Sequence, residues 1–518
     1  MRKPQFILLM VALTLGSALR VNGLTWGLPD DLRRTYSYHP DESSLIAWAT
    51  DLYHGAVLDK QFMYGGTFYF STLAAGNYLA AAMAPTHIAS LRQEITVARV
   101  FSTLCAVLNI VLVYTIGATL YAPMAGAWAA LILALSPGHV LAAQIARPDA
   151  LFTLLLTVNL LLAARLLRGL GKPRRTLWLA GAVLGVSVAT RFPAGVWWFG
   201  YTATLAMVVR RNDGDARSLW RQLTQLSAIA ASAYVLASPH SVMHFSVLME
   251  GLATQFNYQR GAAASAPMVD ITGWRYGGEI MAQALGFGWY PPALAALVWC
   301  AWRRQRADLL LVCFMLPYFL LLTTSHWLVV RYCVPLLPVL AIACGRLLAD
   351  GLTSAGLARA ASVAVAICAF SINGVALGAY AAAEREPDPR DQALRWLLST
   401  APAGSRIGVL QGYDGDVYFH PPAIAHFEWT ACVLPACEPA HFFSSSAQWL
   451  IVADHYLAPV TADGRRSTVA QALAAQTTFL PVQRFAPSLA HFGYDVAPQF
   501  GNADMRHAIP ALTVYRHR

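Results

Sequence analysis

The stretch IARPDALFTLLLTVNLLLAARLLRGLGKPRR, residues 145–175, decides the architecture. Its apolar middle, from about residue 150 to 167, is long enough to cross a hydrocarbon core about 30 Å thick. One end carries Arg147-Pro148-Asp149. The other runs into Arg165, Arg168, Lys172, Arg174 and Arg175. Lysine and arginine gather in the loops that stay in the cytoplasm, so the basic end names the inner side of this span and Asp149 is expected outside.

Runs of the same kind recur near 6–26, 96–119, 123–141, 177–192, 194–209, 223–238, 281–302, 308–325, 329–348 and 360–380, which makes about eleven spans in all. If the spans alternate, Arg210, Arg211, Arg217 and Arg221 fall on the same side as the first basic loop. So do Arg303, Arg304 and Arg306, then Arg346 with Arg359, and the N-terminal Arg2-Lys3. That agreement supports the span count and predicts a multi-pass protein of the inner (plasma) membrane. Composition points the same way: 57% of residues are hydrophobic and only 12% charged, against about 25% charged in a soluble globular protein. The net charge of +10 resides in these short loops rather than in a basic stripe, which argues against a nucleic-acid partner. The start of the chain resembles a signal peptide, but its apolar run is long and lacks a small-residue cleavage site, so it reads as a retained first span.

An odd number of spans leaves three segments outside: a first loop of about 27–95, a second of about 239–280, and the tail from 381 to 518. In the first loop, Asp41–His54 reads as a helix stopped by Gly55, and Thr67–Ala82 as another stopped before Pro85. The second contains Tyr258, Arg260, Asp270, Trp274 and Arg275. Residues 1–380 thus form a membrane domain. Residues 381–518 form a small α/β domain, with a helix over Asp391–Ser399 and buried strands at Arg406–Leu410, Trp449–Ala453 and Ala511–Tyr515. Of eight cysteines, six lie in apolar runs; Cys432 and Cys437 are in the tail, where an oxidising compartment favours a disulfide closed by a turn at Pro435.

The candidate chemistry sits at the outer span ends. His39-Pro40-Asp41-Glu42 follows the first span, and Ala146-Arg147-Pro148-Asp149 precedes the fourth. Proline in the first turn followed by acids is an ordinary helix start, but carboxylates at a membrane rim are costly and usually functional. Arg99, Arg191 and the pair Arg331-Tyr332 also lie at outer ends, against the positive-inside bias. Each arginine alone would be read as snorkelling to the interface; together they need the carboxylates or a lipid phosphate as partners, which a planar guanidinium binds bidentately. His240 and His244 have a helical ligand spacing, but Ser238-Pro239-His240 reads as a loop, so whether a metal binds stays open. An oxygen-rich site at Asp41 and Asp149 would suit Mg or Mn rather than Zn.

In these motifs, their order and their topology, the sequence resembles the GT-C superfamily, in particular the protein O-mannosyltransferase and aminoarabinose-transferase relatives of family 39. The likeness rests on Pro40-Asp41-Glu42, Ala98-Arg99, Ser136-Pro137 with Ala146 to Asp149, Ala189-Thr190-Arg191, and Arg331-Tyr332 followed by Pro335 and Pro338. It implies a GT-C fold, a polyprenyl-phosphate sugar donor and inverting transfer to an extracytoplasmic hydroxyl of a glycolipid, polysaccharide or protein. Its catalytic carboxylates map to Asp41, Glu42 and Asp149, with Asp41 the base and Glu42 held by Arg99. Arg331, Tyr332, Arg191 and Arg147 would meet the donor phosphate. The tail looks like the small α/β tails of bacterial relatives rather than the β-trefoil of eukaryotic protein mannosyltransferases. The alternative from another class is a transporter or flippase of a lipid-linked or small polar substrate, which predicts internal repeats, midplane charges and broken helices.

Overall fold

The computed structural model describes residues 3–30, 37–83, 90–259, 277–325, 329–411, 426–433, 437–443, 446–454, 468–491, 494–496 and 510–518. Arg260, Asp270, Trp274, Arg275 and Pro435 lie outside them. The membrane region begins with α1 (Lys3–Asn22). The first loop carries α2 (Pro40–Tyr53), α3 (Asp59–Phe62) and α4 (Phe68–Met83). Then come α5 (Leu91–Leu120), α6 (Pro123–Ala134), α7 (Pro137–Gln144), α8 (Pro148–Arg168), α9 (Pro173–Thr190), α10 (Trp197–Arg211) and α11 (Ala216–Ala237). A short turn α12 (His240–Met243) leads to α13 (Phe245–Gln259). The region closes with α14 (Glu279–Leu285), α15 (Tyr290–Arg303), α16 (Arg306–Leu322), α17 (Leu337–Thr353) and α18 (Gly356–Ala383). Proline opens α2, α6, α7, α8 and α9, where its missing N–H has no intrahelical partner to lose.

Among the described residues, six helices are long and apolar enough to cross a membrane, and up to eight spans result if each of two bent pairs counts as one. Helices α9, α11 and α16 lie where three more spans are expected, but α16 has only 17 residues and the first turns of α9 and α11 carry arginines. The two bent pairs correct the reading of 123–141 and 281–302 as continuous spans. Helices α6 and α7 meet at 62°, α14 and α15 at 105°. A hydropathy run averages over such breaks because they are punctuated by single residues, Ser136-Pro137 in one and Gly286, at φ +96°, in the other.

The breaks are held by polar side chains from the first and last membrane helices. Asn373 of α18 donates through Nδ2 to the carbonyls of Leu135 (3.1 Å) and Leu285 (2.9 Å), and its Oδ1 accepts from Gly288 N (3.2 Å). One buried amide therefore satisfies backbone groups freed at both breaks, as a membrane interior requires. Arg20 of α1 donates to the carbonyls of Ala134 (3.1 Å) and Leu133, at the negative end of α6, and to His139 Nδ1 (2.6 Å). Helices α7 and α14 can then touch because Gly138 has no side chain. A Cβ there would lie 3.0 Å from the backbone of Ala284.

The tail starts with α19 (Pro389–Thr400). Its sheet contains β1 (Arg406–Gln411), β2 (Glu428–Val433), β3 (Trp449–Ala453), β4 (Phe479–Phe485) and, after a short hairpin of β5 (Ala490–His491) and β6 (Tyr494–Asp495), β7 (Leu512–His517). The sheet order is β2-β1-β3-β7-β4; β1 pairs parallel with β2 and β3, while β7 pairs antiparallel with β3 and β4. Helix α19 covers one face through Ala393, Leu394 and Leu397 against Ile407, Val409, Ile451 and Val514. Cys432 and Cys437 form a disulfide, their Cα atoms 5.4 Å apart.

Two contacts dock this domain beside the first loop. The Tyr38 hydroxyl donates to Asp391 Oδ1 (2.5 Å), and Arg390, bidentate on Asp388 at 2.7 and 2.8 Å, lies with its guanidinium carbon 3.6 Å from the centre of the Tyr38 ring. Just after α18, Glu384 accepts from Asn22 (3.0 Å) and Gln144 (3.1 Å). Burial outweighs these donors and raises its carboxyl from 4.5 to about 7. The fold therefore holds this proton after the unfolded chain has released it. Stability from this group is complete below the ordinary value and is lost as pH rises toward about 7. At about 1.4 kcal/mol per pH unit the loss is on the order of 3 kcal/mol. Thermal melting in detergent from about pH 5 to about pH 8 is expected to show this decline, and Glu384→Gln to flatten it. A wild-type melting temperature that does not fall across that window contradicts the assignment.

Candidate functional site

The site is assembled where the start of α2, the α7–α8 turn, the end of α9 and the turn before α17 converge. His39 caps α2: its Nδ1 accepts from Asp41 N (3.4 Å). Asp41 and Glu42 follow in the first turn, and adjacent residues on a helix point about 100° apart. Glu42 turns inward and is completely buried, whereas the Asp41 side chain remains 39% exposed.

Glu42 is fully occupied. Its Oε1 accepts from Arg99 Nε (2.8 Å) and Ala146 N (2.7 Å), and its Oε2 from Arg99 Nη2 (2.7 Å) and Ser37 Oγ (2.7 Å). Arg99 Nη1 also donates to Leu24 O (3.0 Å) and Trp26 O (2.6 Å). The pair ties the exit of α1, the start of α2, α5 and the residue before Arg147 into one unit.

Arg147, in extended conformation as the cap residue before Pro148, bridges the other two carboxylates. Its Nη1 is 2.7 Å from Asp41 Oδ2 and its Nε 3.4 Å from Asp149 Oδ2. Arg191, where α9 gives way to a 3-10 turn, donates to Asp149 Oδ1 (2.6 Å). Its guanidinium lies over the rings of Tyr64, Tyr332 and Phe152 at 5.4, 5.2 and 5.8 Å. Arg331 occupies the 3-10 turn Val330–Tyr332, 5.6 Å from the Tyr332 ring, so two arginines lie against that ring. Such contacts hold a guanidinium in place while leaving donors for a ligand.

A small cleft of about 20 Å³, room for a water-sized group, is lined by His39, Gly138, Arg147, Asp149, Val330 and Arg331 among others. The structure thus brings together Asp41, Asp149, Arg147, Arg191, Arg331 and Tyr332, with Glu42 and Arg99 immediately behind. The sequence reading placed His39 in its first candidate motif without giving it a role, and it left out Tyr64 and Gly138. A histidine at a cap position usually held by Ser, Thr, Asp or Asn was the available signal for the first. Nothing in the spacing pointed to the other two.

A divalent ion at Asp41 and Asp149 does not fit this donor set, because both carboxylates already face Arg147 and Asp149 also holds Arg191. Among the described residues there is no group of three or more His, Cys, Asp or Glu able to hold a metal. His240 opens a short helical turn and His244 caps its end, their rings stacked at 6.1 Å, with no third ligand among the described residues.

Residues 78–243 match the family model described as dolichyl-phosphate-mannose-protein mannosyltransferase. The matched segment holds Arg99, Arg147, Asp149 and Arg191; Asp41, Glu42 and Arg331 lie outside it. No curated protein matches the chain by sequence. Among solved structures, the oligosaccharyltransferase of Archaeoglobus fulgidus carrying a tethered acceptor peptide is 14% identical. It aligns over 92% of this chain and 72% of its own, with a TM-score of 0.53. ArnT from Cupriavidus metallidurans in the apo state is also 14% identical, over 98% of this chain and 97% of its own, with a TM-score of 0.50. The chain has the GT-C fold of these two proteins, and its residues 78–243 match the mannosyltransferase family model.

Proposed function

We propose that this protein is an inverting glycosyltransferase that moves a sugar from a polyprenyl-phosphate donor to a hydroxyl on the extracytoplasmic side of the inner membrane. The observation that carries this reading is one half-exposed carboxylate, Asp41, beside a cleft lined by Arg147 and Arg331 and backed by Arg191. The acceptor oxygen forms a bond to the anomeric carbon as Asp41 takes its proton. The bond from that carbon to the phosphate oxygen breaks, and the lipid phosphate leaves with the electron pair. Preorganised guanidiniums lower the barrier by stabilising that developing charge. The family name, with its dolichyl-phosphate mannose, supports a lipid-linked donor.

In this reading the helices of residues 1–380 make eleven crossings, each bent pair counting as one, and residues 381–518 form an extracytoplasmic domain. The disulfide in that domain and the basic loops on the opposite side support the orientation. The broken helices alone would also suit a transporter. Supplying purified protein with radiolabelled polyprenyl-phosphate sugar separates the two. The transferase releases free polyprenyl phosphate and labels an acceptor; intact donor after prolonged incubation with a crude acceptor fraction overturns the reading.

Arg331→Lys keeps a charge at the cleft but loses the planar, bidentate fork. Donor use, read as kcat/KM for the lipid-linked sugar, is expected to fall by about tenfold or more. Unchanged kcat/KM in Arg331→Ala would reduce Arg331 to an interfacial anchor.

A further inference from the structure

The geometry points to His39 as a neutral hydrogen-bond donor to a phosphate oxygen in the cleft it shares with Arg147 and Arg331; this inference rests on the proposed reading of that cleft as a phosphate site. Three observations combine. His39 is 1% exposed and lines the cleft. Its Nδ1 receives the Asp41 backbone N–H. A backbone N–H can only donate, so Nδ1 must carry the lone pair, and the neutral ring then bears its proton on Nε2. The Nε2 edge of the ring is therefore a donor.

The choice of residue supports the same conclusion. A cap needs only a short acceptor, and Ser, Asp or Asn fill that role at least as well. Histidine adds what they lack, a second polar atom on the far side of a rigid ring. A neutral donor beside Arg147 and Arg331 strengthens anion binding without adding a third positive charge to a buried corner. Position matters as well. Asp41 is two residues further on and its backbone N–H is bonded to the same imidazole, so the ring links the phosphate corner to the helix turn that carries the base we assign.

Cap-preserving substitutions separate this role from a structural one. His39→Asn and His39→Ser retain the cap and should melt with the wild-type protein, while His39→Ala loses both functions. The probe is polyprenyl phosphate, with polyprenol and inorganic phosphate as parallel arms, binding being read by displacement of a labelled polyprenyl phosphate. The expected result is wild-type preference for polyprenyl phosphate over polyprenol, weakened about tenfold in both His39→Asn and His39→Ser at unchanged melting temperature. If either cap-preserving variant binds like wild type, His39 is only a cap and the inference is overturned. If the wild type itself fails to prefer polyprenyl phosphate over polyprenol, the phosphate reading of the cleft fails first. Displacement by inorganic phosphate at the same concentration would assign the contact to the free anion and overturn the lipid headgroup as its source.

Discussion

Asp41→Asn is expected to lower the transfer rate by roughly 10²–10⁴-fold while folded yield and binding of polyprenyl phosphate stay near wild type. The substitution keeps shape and removes the proton acceptor. Its structural cost is small for two reasons. The Asp41 side chain is 39% exposed, so its ion pair with Arg147 is screened by water and contributes at most about 1 kcal/mol. Arg147 also keeps Asp149 as a second partner, so no buried guanidinium is left without a counter-charge. Asp149→Asn should behave differently: it weakens the hold on both Arg147 and Arg191, and donor affinity should fall along with rate. The decisive numbers are kcat and donor Kd for each variant. An Asp41→Asn enzyme with normal kcat would remove Asp41 from the chemistry. A loss confined to donor Kd would make it a binding group.

Much of this site was legible in the sequence because its parts sit at helix starts, and helix starts have local signatures. Pro40-Asp41-Glu42 and Pro148-Asp149 open α2 and α8, and the acids lie in the first turns where the helix dipole favours them. The strands Arg406–Gln411 and Trp449–Ala453 were visible as short apolar runs between turn residues. What could not be read was which ends meet. Tyr38 reaches Asp391, and Asn373 reaches Leu135 and Leu285, across separations of 353, 238 and 88 residues with no local pattern to announce them. The breaks in the two bent spans were hidden for the same reason. Their freed carbonyls are satisfied by Asn373 and Arg20 from other helices, so the local composition stays apolar. An isolated asparagine or arginine in a membrane span was the only trace, and it marks a polar task without naming its partner.

Glu42→Gln is expected to act on folding rather than on the chemical step, at a cost of about 3–5 kcal/mol. Both oxygens of Glu42 accept two hydrogen bonds each, and neither residue of the Glu42–Arg99 pair is exposed. A glutamine amide offers only one oxygen. Turned toward Arg99 Nε and Ala146 N, that oxygen leaves the amide nitrogen facing Arg99 Nη2, donor against donor. Turned the other way, the nitrogen faces both Arg99 Nε and Ala146 N. In either orientation the buried guanidinium loses its counter-charge, which costs more than the missing hydrogen bonds alone. The damage would spread along the contacts of Arg99, loosening Leu24 and Trp26 at the exit of α1 and Ala146 beside Arg147. Replacing both members, Glu42→Met with Arg99→Met, removes the stranded charge and should recover part of the folded yield relative to Glu42→Gln. Detergent gel filtration and thermal melting measure the effect. A Glu42→Gln protein that folds and melts like wild type yet transfers no sugar would move Glu42 from the scaffold into the reaction and hand it the role assigned here to Asp41.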